Sequence, residues 1–186
     1  MITKISAILS EEIKLRLNSS DNEKEIYGYS IEVLIWLFIN FFILSITAYI
    51  LKKQAELITF VVFFPGLRSY AGGYHAKTHI ECIILSFCAY VISALSGTYL
   101  TEYGEIILVL GIAFSVIMVF LLAPAESENK PLSSKKRFKY KKNSRIIVTV
   151  LSATAVCLYF VRGTVGYVYI TAAVAMSLES LSLFWD

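Results

Sequence analysis

Residues 31–51 read IEVLIWLFINFFILSITAYIL, a stretch long enough to cross a lipid bilayer as one helix. Glu32 is its only charged residue, and Asn40 is a polar residue inside it. A helix that spans a bilayer needs ~20 predominantly apolar residues, because each residue advances it by ~1.5 Å. Of the whole chain of 186 residues, 57% is hydrophobic and 17% is charged, which excludes an ordinary soluble domain. The sequence therefore predicts an all-α, polytopic membrane protein, with residues 1–186 forming a single domain.

Further apolar segments bring the prediction to about six transmembrane helices. After residues 31–51 these segments are residues 55–67, 80–100, 106–123, 146–161 and 165–183. The segment 55–67 is short and ends at Pro65-Gly66. It reaches across a bilayer only if its helix continues toward Tyr70, or if it enters the membrane and kinks at Pro65.

The N-terminal residues 1–20 have a different pattern, in which apolar side chains recur at helical spacing. The stripe consists of Ile2, Ile5, Leu9, Ile13 and Leu17, and most charged residues lie off it. This pattern predicts an amphipathic helix. Such a helix either lies in the membrane interface or packs on the rest of the protein, and the pattern leaves both alternatives open.

Basic residues near the ends of apolar segments predict the orientation in the membrane. Residues 125–145 form a polar connection that carries eight Lys and Arg residues from Lys130 to Arg145. Cytoplasmic connections carry an excess of Lys and Arg. We therefore expect a multi-pass protein of the cell membrane with this basic loop, the 68–79 connection and both termini on the cytoplasmic side. Lys52, Lys53 and Arg162 fall on the outer side and count against this topology.

Residues 68–82 read RSYAGGYHAKTHIEC and place two histidines and a cysteine between two apolar segments. A thiolate is a nucleophile, and a neighbouring histidine can generate it by accepting the thiol proton. His79 lies three residues before Cys82, so the two side chains are neighbours on a continuous helix. His75 lies seven residues before Cys82, which is ~10.5 Å along a helix axis. Helix geometry alone therefore favours His79, and His75 requires the chain to fold back at Gly72-Gly73.

Two other interpretations of this segment remain open. His75, His79 and Cys82 have side chains that suit zinc, although Ala76 stands where a zinc protease would have glutamate. Alternatively, the three residues are interfacial polar groups at the start of a helix. The other two cysteines, Cys88 and Cys157, lie within apolar segments, and a total of three cysteines makes a disulfide framework improbable.

Two motifs give the chain a resemblance to a known family. The first is Arg68, then Gly73, then His75-Ala76, then Cys82 seven residues after that histidine. The second is APAESENKP, residues 123–131. Together they resemble the signature of the accessory gene regulator B (AgrB) family, membrane endopeptidases that process quorum-sensing peptides. The resemblance extends over nearly the whole chain and includes the N-terminal helix, the basic loop and the two final spans.

The resemblance implies an activity and a catalytic pair. It assigns catalysis to His75 and Cys82, so the helix that carries Cys82 should start no earlier than about Lys77 and the backbone should turn sharply at Gly72-Gly73. The implied substrate is an AgrD-like precursor peptide with an amphipathic N-terminal helix, a central signal segment holding Cys or Ser, and an acidic tail. Cleavage through an acyl-thioester would then lead to a thiolactone or lactone. The family suggests a homodimer, and we expect neither a cofactor nor a nucleic-acid partner.

Other residues are candidates for binding or for orienting the catalytic groups. Backbone N–H groups near Gly72-Gly73 could stabilise an oxyanion, and Glu81 or Glu179 could orient the histidine. Arg68 could anchor a carboxylate or a lipid phosphate, or serve only as a positive flank. The acidic tail could bind basic residues of the 125–145 loop, which would otherwise serve topology and contact anionic membrane lipid; these are Lys135, Lys136, Arg137 and Lys139. A transporter or peptide-binding membrane protein that does not cut its peptide is the rival class.

Overall fold

In a computed structural model, the chain consists of helices and short connections. The described residues are 2–17, 20–74, 76, 78–125 and 133–185, without the side chains of residues 134, 135 and 185. The helices are α1 (Ile2–Leu17), α2 (Asp21–Leu51), α3 (Gln54–Ala71), α4 (His79–Tyr99), α5 (Gly104–Leu122), α6 (Ser134–Phe160), α7 (Arg162–Val165) and α8 (Val168–Ser182). Short 3₁₀ helices follow at Thr101–Tyr103 and Leu183–Trp185. Within these ranges there is no strand, so the predicted all-α class is confirmed.

Four helical segments are long and apolar enough to cross a membrane, as expected for a polytopic membrane protein. They are residues 21–51, 79–99, 101–122 and 136–160. Helix α8 is apolar but has 15 residues. Helix α3 runs through Pro65 and ends at Ala71, so the continuation toward Tyr70 that a crossing requires is present. The total of about six crossings and their orientation remain predictions.

Helix α6 begins earlier than the sequence pattern suggested. Residues 125–145 were expected to form a loop, but residues 134–145 are the first turns of α6. The prediction of a loop is therefore wrong for this half of the segment. Lys and Arg are good helix formers, so a dense run of them continues a helix beyond the membrane-spanning part instead of ending it. In the same way, α2 begins at Asp21, ten residues before the apolar stretch that predicted it.

The chain divides into two compact units, of which residues 1–46 form the first. The predicted N-terminal helix is confirmed as α1. Its Lys14 pairs with Asp21 at 2.5 Å, and Ser10 lies against Gly28, where a Cβ would be 3.4 Å from the serine hydroxyl. The apolar side chains of α1 remain exposed, namely Ile5, Ile8, Leu9, Leu15 and Leu17. Whether α1 lies in the membrane interface or packs on the rest of the protein remains a prediction.

The second unit, residues 47–186, is built around α8. Helices α3, α4, α5 and α6 all contact α8, and most side chains along it are buried. Small residues allow this close packing. A Cβ on Gly97 of α4 would lie 3.2 Å from the carbonyl oxygen of Tyr167, and one on Gly111 of α5 would lie 3.2 Å from Ala173. The first half of α8 therefore packs closely against α4 and α5.

Candidate functional site

The chain leaves α3 through Gly72 and Gly73, and a side chain at either position would strain the backbone. Gly72 has φ of +82° and Gly73 has φ of +127°, a region that L-residues with a Cβ rarely adopt. Space is also limited, because a Cβ on Gly72 would lie 2.6 Å from the carbonyl oxygen of Ala125. A Cβ on Gly73 would lie 2.8 Å from Oε1 of Glu179. The end of α3 at these two glycines is therefore present, whereas a sharp turn that brings His75 over Cys82 remains a prediction.

Tyr74, which follows the two glycines, is held by hydrogen bonds on both sides of its backbone. Its N–H donates to the carbonyl of Ser182 at 3.2 Å. Its carbonyl accepts a hydrogen bond from Nη2 of Arg68. Nη1 of Arg68 also contacts Glu179, at 3.1 Å from Oε2 and 3.3 Å from Oε1. The connection after α3 is thus attached both to α3 itself and to the end of α8.

The second sequence motif meets the first at this turn. The N–H of Ala125 donates to the carbonyl of Ala71 at 2.9 Å. Carbonyl groups in the last turn of a helix have no partner within the helix, so this hydrogen bond caps α3. The Ala-Pro-Ala stretch, residues 123–125, therefore supports the end of α3, just before the glycines and the histidines.

Helix α4 begins with a capping box. The side chain of Thr78 accepts a hydrogen bond from the N–H of Glu81 at 3.2 Å, and Glu81 accepts one from the N–H of Thr78 at 3.3 Å. These reciprocal bonds fix the helix start at His79. The expectation that this helix starts no earlier than about Lys77 is thereby confirmed. His75 precedes this helix and lies outside the described residues, so its contact with Cys82 remains a prediction.

Cys82 lies exposed in the first turn of α4, where its N–H donates to the carbonyl of Thr78 at 3.2 Å. His79 lies three residues before it on the same helix and is partly exposed. Cys88 and Cys157 are also exposed free thiols, and both lie further along their helices, α4 and α6. Of the three cysteines, Cys82 is the one next to both histidines in the sequence, His75 in the connection and His79 at the start of α4.

The two carboxylates proposed to orient the histidine have other contacts in the structure. Glu81 takes part in the capping box of α4. Glu179 is completely buried and forms an ion pair with Arg68. The sequence indicated both residues of this pair separately but not their contact, because they are 111 positions apart. The available signal was that each is a charged residue beside or within an apolar segment.

Among the described residues, no group of three metal-ligating side chains comes together. The zinc alternative requires His75 in addition to His79 and Cys82, and that residue falls outside this search. A zinc site formed by His75, His79 and Cys82 therefore remains a prediction.

The basic start of α6 lies beside the end of α3. The rings of Tyr140 and Tyr70 have centroids 6.0 Å apart, which joins the two helices near the glycine turn. Lys136, Arg137 and Lys139 are exposed in the same part of α6. Lys135 belongs to this segment by sequence, but its side chain is outside the description. A positively charged helix face thus begins close to the candidate site.

Comparison with known proteins identifies the family. The family model for Accessory gene regulator B matches residues 2–184. The chain belongs to the AgrB family. It is 30% identical over 172 residues to a Clostridium perfringens strain SM101 protein named "Putative AgrB-like protein", covering 86% of this chain and 79% of the relative. An AgrB-like protein of Clostridium acetobutylicum is 27% identical over 154 residues, or 82% and 73% of the two chains. No solved structure matches the chain.

Membership in the AgrB family supports a role in the agr quorum-sensing system. The family is associated with processing an AgrD precursor peptide. Both residues of the predicted catalytic pair lie within the matched range.

Proposed function

We propose that the protein is a membrane-embedded cysteine endopeptidase that cleaves the C-terminal tail from an AgrD-like precursor and promotes cyclisation of the product. Cys82 is the nucleophile, and His75 is the general base. The observation that carries the proposal is the exposed thiol of Cys82 in the first turn of α4, directly after a connection whose start is fixed at Tyr74 and whose end is fixed at Thr78. A short connection with fixed ends limits the positions that His75 can occupy.

The proposed reaction proceeds in two transfers of the acyl group. His75 accepts the proton of Cys82, and the thiolate attacks the peptide carbonyl at the end of the signal segment. The C–N bond breaks, the acidic tail leaves as an amine that takes the proton from His75, and a thioester to Cys82 remains. The precursor's own Cys thiol, or Ser hydroxyl, then attacks this thioester. The ring closes, and Cys82 regains its proton.

Cyclisation must be faster than hydrolysis, because water would release a linear product from the same thioester. A thiol of the bound precursor has a high effective concentration, and membrane helices around the site restrict the access of water. The developing oxyanion needs N–H donors. The N–H groups of Gly72, Thr78, Glu81 and Cys82 already donate to other partners, so the N–H of Gly73 is the better candidate.

The basic start of α6 is proposed to attract the acidic tail of the precursor. Its exposed Lys136, Arg137 and Lys139 form a positive region beside the end of α3, with Lys135 added from sequence. Anionic membrane lipid can bind the same side chains, and both ligands favour a site on the cytoplasmic side of the cell membrane. The multi-pass topology, with both termini on that side, and a homodimeric assembly belong to the same proposal.

Detection of the acyl-enzyme tests the proposed function. The purified protein in lipid vesicles is mixed with a precursor whose internal Cys or Ser is replaced by Ala, so that the second transfer cannot occur. We expect an adduct of the mass of the truncated peptide on Cys82, removed by hydroxylamine and missing in Cys82→Ser. Tail release at the parent rate by Cys82→Ser would reject the proposal. Uptake of intact peptide into vesicles without cleavage would support the transporter instead.

A further inference from the structure

Glu179 is a charged residue with no exposed surface, in a helix otherwise lined with small and apolar side chains. A buried carboxylate is costly unless it is paired and hydrogen-bonded. Here it contacts both Arg68, across 3.1 Å, and the hydroxyl of Ser182, across 3.4 Å. The side chains of Arg68 and Ser182 therefore both contact this single carboxylate.

Arg68 connects this carboxylate to the backbone of the glycine connection, the residues that follow α3 from Gly72 to Thr78. One terminal nitrogen faces Glu179, and the other donates to the carbonyl of Tyr74. Only a forked guanidinium can make both contacts at once with fixed geometry, since the ammonium of lysine is a single point charge. Gly73 lies against the same carboxylate, and a Cβ there would be 2.8 Å from Oε1. The carboxylate, the guanidinium and the backbone of residues 73–74 thus form one contiguous unit.

We propose that Arg68 and Glu179 are a positioning pair that fixes the backbone just before His75. The pair acts through Tyr74, whose carbonyl belongs to the peptide unit that leads into His75. This inference rests on the proposed function, in which His75 is the general base for Cys82. It assigns a role in that reaction to the C-terminal helix α8, which contributes no nucleophile or base.

A purely structural ion pair predicts a different outcome from a positioning pair. If the pair only stabilised the bundle, the loss of activity in its variants would follow the loss of thermal stability. If it positions His75, activity falls far more than stability does, because a displacement of ~1 Å in a reacting group can cost ~10²-fold in rate. The chain offers a matched control in Lys53 and Glu56, a partly buried pair at the opposite end of α3, 2.6 Å apart.

The experiment compares Arg68→Lys, Glu179→Gln and Glu56→Gln in lipid vesicles. Each variant is tested for its melting temperature, for kcat and KM with the precursor, and for the pH dependence of Cys82 alkylation by iodoacetamide without substrate. Cys88 and Cys157 are replaced by Ala throughout. Arg68→Lys keeps the charge beside Glu179 and is the variant least expected to unfold. We expect kcat to fall ~10²-fold in Arg68→Lys and Glu179→Gln with KM nearly unchanged, and an alkylation profile that moves to that of His75→Ala.

The outcomes separate this inference from the proposed function. Suppose that His75→Ala changes the alkylation profile, while folded Arg68→Lys and Glu179→Gln keep the parent profile and kcat. This result would overturn the positioning role of the pair and leave the proposed function intact. An unchanged profile in His75→Ala together with tail release by Cys82→Ser would overturn the proposed function. If Glu56→Gln loses as much kcat as Arg68→Lys and Glu179→Gln at the same loss of melting temperature, the Arg68–Glu179 pair has only a structural role.

Discussion

The N–H of Ala125 donates a hydrogen bond of 2.9 Å to the carbonyl of Ala71. It brings the segment after α5 to the last residue of α3, directly before Gly72. Gly72 fits there because its hydrogen faces Ala125, where a methyl group would meet the carbonyl oxygen at 2.6 Å. The described part of the second motif, residues 123–125, therefore meets the first motif at its glycines.

The glycine turn gives the first prediction. Gly72→Ala and Gly73→Ala should each reduce precursor cleavage by ~10-fold or more, because a Cβ meets Ala125 or Glu179 and the positive φ adds roughly 1–2 kcal/mol of strain. Cleavage rates in vesicles provide the measurement. Gly163→Ala is the matched control, since nothing lies within 4 Å of a Cβ there and it should retain parent activity. Parent-like rates in both alanine variants would contradict the role of the turn.

The sequence predicted the break between α3 and α4 because local chemistry encodes it. The apolar segments 55–67 and 80–100 flank a polar stretch, and Gly72-Gly73 allows positive φ. The capping box of Thr78 and Glu81 is a further local signal that the sequence analysis missed. The sequence did not predict the contact of Arg68 with Glu179, because a contact across 111 positions depends on how α8 packs against α3. A single sequence contains no direct signal for that packing.

The predicted limits of the helices were less accurate where helices extend beyond apolar stretches. Hydropathy identifies only the part of a helix that suits a lipid core, so it predicts a loop for residues 134–145, which are helical. The apolar pattern also gives no measure of how much of a segment packs against protein. Helix α8 is therefore similar in composition to the four candidate membrane-spanning helices, although most of its side chains are buried.

The second prediction separates the three cysteines. Cys82→Ser should abolish precursor cleavage while the protein still inserts into membranes. Cys88→Ala and Cys157→Ala should retain activity, because both thiols lie along membrane helices away from the glycine connection. Mass spectrometry of the released tail measures the effect, and membrane fractionation measures insertion. Equal loss in all three variants would show that the cysteines act through folding.

The third prediction concerns the basic start of α6. Reversing the charge at Lys135, Lys136, Arg137 and Lys139 should raise the KM for a precursor with its acidic tail, because attraction becomes repulsion. A precursor with a neutral tail should show no difference between variant and parent. KM values for both precursors at low and high salt provide the measurement, since salt screens the interaction. The same loss on both precursors would assign these residues to topology or lipid contact.

The two histidines differ in their relation to α4. His79 is the first residue of the helix, three positions before Cys82, and is thus placed to contact it without any special fold. His75 lies in the connection between Tyr74 and Thr78, whose ends are held by the carbonyl of Ser182 and by the capping box. Since α4 does not extend back to His75, the separation of ~10.5 Å that a continuous helix would impose does not apply.

The last prediction therefore sets His75 against His79. His75→Ala should lose the ~10²–10⁴-fold that general-base catalysis supplies, whereas His79→Ala should retain most of the parent rate. Single-turnover cleavage measured from pH 6 to about pH 9 separates the cases, because a variant that lacks its base should regain rate as pH rises and hydroxide forms the thiolate. Circular dichroism of both variants controls for loss of the α4 start. A large, pH-dependent loss in His79→Ala with a parent-like His75→Ala would assign the base to His79.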